Sequence, residues 1–377
     1  LTSQIGPPLS KLQQKGDLVF LSQLGTQTEH PFTCDTRDSL EMLFAVPDQQ
    51  TIKECLPNGS FYPEDYSTQN AAKHLEILRQ EMGHEKIILF GVSYGTRLAQ
   101  EYMRTFPNHV AYAILDGVLP LDIPLGENIS RDTEASLQHL LEDCKNHPSC
   151  NETFPQISDD LESLITELQT PKVISIKNPK TGLPVELAMT EEGFLSGLRT
   201  LLYSADLRSL LPLTIKGAQQ NDWNSFVAQV SSVSSGSNVS LGLYLTITCS
   251  EDAPYISKPA EAKRFDVYDD IQKNCALWPS YPFSPKQREP LRSSIPTLLL
   301  SGAFDPVTPH SNAQHLAKTL SEATLVEYKG QGHNVSLLPC SLSLIESFIE
   351  DGHIENSDCA QSSIPYFVRP SGPEATP

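Results

Sequence analysis

The chain has 377 residues, with 27 Lys and Arg against 46 Asp and Glu, a net charge of −19, and 39% hydrophobic residues. That length suits one large domain or two ordinary ones. The acidic balance argues against a nucleic-acid binder, which needs a basic face, and against docking on an anionic membrane surface. No apolar run approaches the roughly 18–20 residues that span a bilayer. The opening LTSQIGPPLSKLQQKG lacks the apolar block of a signal peptide. Leu1 is not an initiator methionine, so the expectation is that something upstream was removed or not included.

In chain order, Leu18–Leu21 reads as a short strand, and Ser67–Met82 as a helix carrying Ala71, Ala72, Leu75, Leu78 and Met82 at helical spacing. Gly83 stops that helix. Lys86–Val92 is a buried-strand run that passes at once into Ser93-Tyr94-Gly95 and a helix over Thr96–Thr105. Pro107 ends that helix, and Val110–Leu115 is the next strand. Strands alternating with helices imply a parallel sheet. From about residue 125 to 290 the alternation is lost. Thr133–Cys144, Leu161–Leu168 and Glu191–Tyr203 read as amphipathic helices between Ser- and Pro-rich connectors. The α/β texture returns with strands at Thr297–Ser301 and Thr324–Tyr328 and helices at His310–Leu320 and Ser341–Glu350. The fold expected is α/β, a mostly parallel sheet interrupted by a helical cap, with segments 1–124, 125–290 and 291–377.

The eight cysteines, Cys34, Cys55, Cys144, Cys150, Cys249, Cys275, Cys340 and Cys359, form no C-x-x-C and no zinc-type cluster. Sequential pairing (34/55, 144/150, 249/275, 340/359) is one of about 105 connectivities. It is favoured because each pair closes a short loop, and it implies an oxidising, secreted or periplasmic setting. The alternative is a cytosolic chain with eight buried thiols.

Gly91-Val92-Ser93-Tyr94-Gly95 is a G-x-S-x-G set between a strand and a helix. Such a turn lifts the serine hydroxyl above the sheet edge, flanking glycines give the backbone room, and the Tyr94 N–H can meet a developing oxyanion. A serine nucleophile needs a base, and the base an orienting carboxylate. Asp305 and His333 each follow a late strand, in the order this chemistry uses on such a sheet. The alternatives are an Asx turn before Pro306, a surface-loop histidine, and Asp116 as the acid. No motif calls for a metal or an organic cofactor.

GVSYGTRLAQEYMRTFPNHVAYAILDGVLP, LLLSGAFDPVTP and GQGHNVS resemble the proline-iminopeptidase and tripeptidyl-aminopeptidase branch of the α/β-hydrolases. The resemblance implies a cap inserted after the Asp116 strand and the triad Ser93, Asp305, His333. It also supports pairing among Cys34, Cys55, Cys249, Cys275, Cys340 and Cys359. Two departures stand out. The family's Asp-Gln-Arg-Gly turn is here Ser22-Gln23-Leu24-Gly25, and no His-Gly-Gly-Pro loop precedes it to supply a second oxyanion N–H. The expectation drawn is a chain that starts inside the fold, partnered by a missing N-terminal segment of the same polypeptide.

Family aminopeptidases neutralise a substrate amine with acidic cap residues, which points to Glu251, with Asp252 second. The competing reading of that pair is a solvated acidic turn. Three functions remain open: a serine exopeptidase releasing short N-terminal peptides or proline, a carboxylesterase acting on a small ester, and a degenerate hydrolase fold that only binds.

Overall fold

The computed structural model describes residues 9–10, 12–26, 32, 40, 44, 49–56, 61–236, 240–260, 264–361 and 367–369. After a short helix α1 (Gln49–Glu54) comes α2 (Thr68–Glu81), whose N-cap Ser67 accepts the Asn70 N–H at 3.2 Å. Gly83, at φ 72°, closes its C-terminal end. Strand β1 (Ile87–Val92) leads into α3 (Tyr94–Thr105), and β2 (Val110–Asp116) follows.

Between β2 and the next strand of the main sheet lies the insertion. It comprises α4 (Ile129–Asn146), α5 (Pro148–Thr153), α6 (Ile157–Leu168), the hairpin strands β3 (Lys172–Lys177) and β4 (Pro184–Met189), α7 (Glu191–Leu202), α8 (Ala205–Gln219), α9 (Asn224–Gly236), α10 (Leu241–Ile247) and α11 (Tyr268–Cys275). The chain then returns through β5 (Thr297–Gly302), α12 (His310–Ala317), β6 (Ala323–Tyr328), α13 (Pro339–Asp351) and α14 (Asp358–Gln361).

The main sheet runs β1-β2-β5-β6, every pair parallel. All six residues of β5 are buried, as a central parallel strand requires. Alternation along it divides two cores. Leu299 packs with Leu89, Ala99, Tyr102 and Leu316 on one face, while Leu298 and Leu300 pack with Ile114, Val326, Ile345 and Phe348 on the other. The insertion has its own core, built around Leu140, Leu161, Phe194, Trp223 and Phe226.

One expectation needs correction. Leu18–Leu21 is not a strand: no described backbone lies along it to complete a ladder, so Val19, Phe20 and Leu21 stay 41–50% exposed. The insertion is mostly helical and also holds one hairpin. Lys172–Lys177 alternates buried and exposed residues and pairs antiparallel with β4. This is the period-2 pattern of a half-buried strand.

Disulfides join Cys144–Cys150, Cys249–Cys275 and Cys340–Cys359. Cys55 is also disulfide-bonded, and Cys34 lies outside the described residues. Among the described residues, no helix is long and apolar enough to cross a membrane.

Candidate active site

Ser93 sits between β1 and α3 with φ 55° and ψ −122°, a strained conformation for a residue with a side chain. Gly91 makes the turn possible: a Cβ there would lie 2.5 Å from the Gly95 carbonyl oxygen. The Ser93 N–H donates to the Asp116 carbonyl at 2.8 Å, which fixes the turn to the end of β2. Tyr94 opens α3, so its N–H is one of the unpaired donors of a helix start. The Tyr94 hydroxyl is buried, and desolvation holds its pKa well above the ordinary value.

Asp305 and His333 follow β5 and β6 and meet in space, with Nδ1 2.7 Å from Oδ2. Asp305 is also the head of an Asx turn. Its Oδ1 accepts the Val307 and Thr308 N–H groups at 2.9 and 2.8 Å, and its Oδ2 accepts the Thr308 hydroxyl at 2.7 Å. The turn and the histidine contact, alternatives in the sequence, coexist on the two carboxylate oxygens. Burial would raise the Asp305 pKa, but the charge and hydrogen bonds of His333 and Thr308 outweigh it and hold the group below its usual value. Burial would likewise lower the pKa of His333, and the field and hydrogen bond of Asp305 outweigh that, holding the imidazole above 6.5.

Gly117, at φ 65° just past β2, lies against the His333 ring. A Cβ on it would come within 3.0 Å of the imidazole Cε1, so only glycine lets the ring sit there. The Ser93 hydroxyl has no hydrogen-bond partner among the described residues. Asp116, the runner-up acid, does not bond the imidazole. Its Oδ2 accepts the Ser336 N–H at 2.7 Å, tying the His333 loop to β2, and burial raises its pKa.

Two groups near the pair had escaped notice. Thr308 follows the acid by three residues, a Ser/Thr spacing that marks such turns. Tyr203, at the end of α7, accepts the His333 N–H on its carbonyl at 2.8 Å, and its ring meets the imidazole edge-to-face at 5.2 Å. Nothing local in the sequence signals that contact, since the two residues are 130 positions apart. The acid loop is gripped from the insertion too. Ser136 Oγ donates to the Phe304 carbonyl at 2.8 Å, and the Arg208 guanidinium lies 4.0 Å over the Phe304 ring.

The two acids expected as amine anchors are both buried and hydrogen-bonded. Asp252 is fully buried and is claimed by Arg97 at 2.8 Å and Arg288 at 2.6 Å, with the Leu125 N–H on the same carboxylate. Glu251 is 1% exposed. It accepts the Thr68 N–H at 2.8 Å, the Thr68 hydroxyl at 2.7 Å and the Tyr281 hydroxyl. Thr68 in turn bonds the Tyr94 hydroxyl at 2.8 Å. Neither acid is an open anion: Glu251 ties the insertion's exit to α2, and Asp252 ties it to α3.

A sequence family described as TAP-like protein matches residues 263–361, the stretch that carries both Asp305 and His333. Over most of its length the chain is also similar to proteins named as a hydrolase, a serine protease and a tripeptidyl aminopeptidase. It is 23% identical over 369 residues to a putative hydrolase, YuaR, of Escherichia coli K12, covering 91% of this chain and 72% of that protein. It is 24% identical to the serine protease Hip1 of Mycobacterium tuberculosis H37Rv, covering 86% and 70%. To a tripeptidyl aminopeptidase of Streptomyces lividans it is 22% identical, covering 82% and 60%.

If Asp252 is a structural charge, Asp252→Asn leaves two guanidinium groups buried without their counter-ion, which costs about 3–5 kcal/mol. Urea unfolding is expected to show that loss. A stability within about 0.5 kcal/mol of wild type, the range of ordinary surface substitutions, would restore Asp252 as a candidate ligand.

Proposed function

We propose that this chain is a serine peptidase of the aminopeptidase type, which releases short N-terminal peptides or proline through an acyl-enzyme. Ser93 is the nucleophile, His333 the general base and then acid, Asp305 the group that orients the imidazole, and the Tyr94 N–H a donor to the oxyanion. The observation that carries this reading is the 2.7 Å contact between His333 and Asp305 at the same sheet edge as a positive-φ serine. The relatives named serine protease and tripeptidyl aminopeptidase support the substrate class.

In the first half-reaction His333 takes the Ser93 proton as Oγ attacks the carbonyl, and the imidazolium is stabilised by Asp305. The proton then passes to the leaving amine. Water repeats the sequence on the acyl-enzyme. On this reading, residues 125–290 cap the site and 1–124 with 291–377 form the core. The disulfides support a secreted or periplasmic setting. A carboxylesterase is the second reading, and the burial of Glu251 and Asp252 favours it, since neither is open to a substrate amine.

A fluorophosphonate probe is expected to label the wild-type protein and not Ser93→Ala; a wild type that takes no label leaves only a binding role. Tripeptidyl and prolyl amides against short-chain esters then separate peptidase from esterase. Because a base must be neutral to act, activity falls as pH drops through the His333 pKa, which lies above its ordinary value. The acidic limb of kcat/KM is expected above pH 6.5 (about the unperturbed histidine value) and moves lower in Asp305→Asn. A limb below that value in the wild type would contradict the pairing.

A further inference from the structure

Among the described residues, Arg199 is the one lysine or arginine that is neither solvent-exposed nor within ion-pair distance of a carboxylate. This is unexpected in a chain with 46 acidic residues against 27 basic ones. A half-buried guanidinium gives up hydration, and elsewhere in this protein that loss is offset by a carboxylate, as at Arg79, Arg97, Arg208 and Arg288. Among the described residues Arg199 has no such carboxylate partner.

Its position gives the omission a use. Arg199 lies on α7 one helical turn before Tyr203, and residues four apart share a helix face. Tyr203 is the residue whose carbonyl and ring hold His333. The field of Arg199 also reaches Tyr244 of α10. The positive charge of Arg199 reaches both phenols and opposes the rise that burial imposes on each. Helix α10 runs directly into the turn that carries Glu251, which is bonded through Thr68 to Tyr94, the neighbour of Ser93. Arg199 therefore stands one helical turn from the residue whose carbonyl and ring hold His333. The acids whose fields reach these phenols, Asp305 and Asp252, are already engaged by His333 and by Arg97 with Arg288.

We propose that Arg199 binds a carboxylate of the substrate, so that recognition beside the triad is of an anion by a cation. This deepens the serine-hydrolase reading above and rests on it for the substrate's place. The planar guanidinium fork suits a carboxylate held through two parallel hydrogen bonds. The substrate class is then a short peptide with a free C-terminus or an acidic side chain close to the scissile bond. The overall charge of −19 repels such a substrate at long range, which makes one uncovered local cation the more necessary.

Calorimetric binding to the Ser93→Ala protein tests this without turnover. Trialanine against its C-terminal amide reports a terminal carboxylate. A blocked Asp peptide against its Asn counterpart reports a side-chain carboxylate. In at least one pair the acid is expected to bind about ten-fold tighter or more. Adding Arg199→Gln is expected to abolish the difference, and Arg199→Lys to keep part of it. Equal binding within both pairs, or an acid preference that survives Arg199→Gln, would overturn the proposal and leave a solvent-facing arginine only. Because binding needs no catalysis, failure of the hydrolase reading appears separately, as a wild type that takes no fluorophosphonate label.

Discussion

The Asp305–His333 contact is the constraint on which the site depends, and neither loop holds it alone. Each loop hangs from the end of a parallel strand, and each is fixed from the opposite side by the insertion. Tyr203 takes the His333 N–H, Ser136 bonds the Phe304 carbonyl, and Arg208 covers the Phe304 ring. Gly332 has no room for a side chain, because a Cβ would lie 2.4 Å from the Tyr203 carbonyl oxygen. The insertion thus helps to hold Asp305 against His333. Its docking and the geometry of the pair rise or fall together.

The same economy governs the buried charges. Arg97 and Arg288 converge on one carboxylate, Asp252, and Arg97 and Arg288 also reach the Ile123 and Leu121 carbonyls. Removing any member leaves the others desolvated, so the cluster locks the insertion's exit onto α3. Beside it, Glu251, Thr68 and the Tyr94 hydroxyl form a hydrogen-bonded chain behind the nucleophile. Both acids are thus taken up by contacts within the protein framework.

What could be read from the sequence was local. G-x-S-x-G between a strand and a helix announces the turn at Ser93 because the strain and the glycine contact arise within five residues. Asp305 and His333 were legible because each stands just past a strong strand. The four main strands and their flanking helices lie within a few residues of where apolar periodicity put them. The misreadings share a different cause. Glu251 and Asp252 look exposed in a run of polar residues, and only Arg97, 155 positions away, and Arg288 make Asp252 a buried hub. Leu18–Leu21 has strand composition, but a strand exists only by pairing, which no local window shows. Tyr203 was hidden for the same reason.

The claim that the insertion holds the acid–base pair can be read from one proton. In a proton NMR spectrum, the His333 Nδ1–H held by Asp305 is expected as a far-downfield resonance in the wild type. It should be absent from Asp305→Asn, and broadened or lost in Gly332→Ala, where the new methyl group forces the loop away from Tyr203. A wild type without the resonance, or a folded Gly332→Ala protein that keeps it unchanged, would contradict the account.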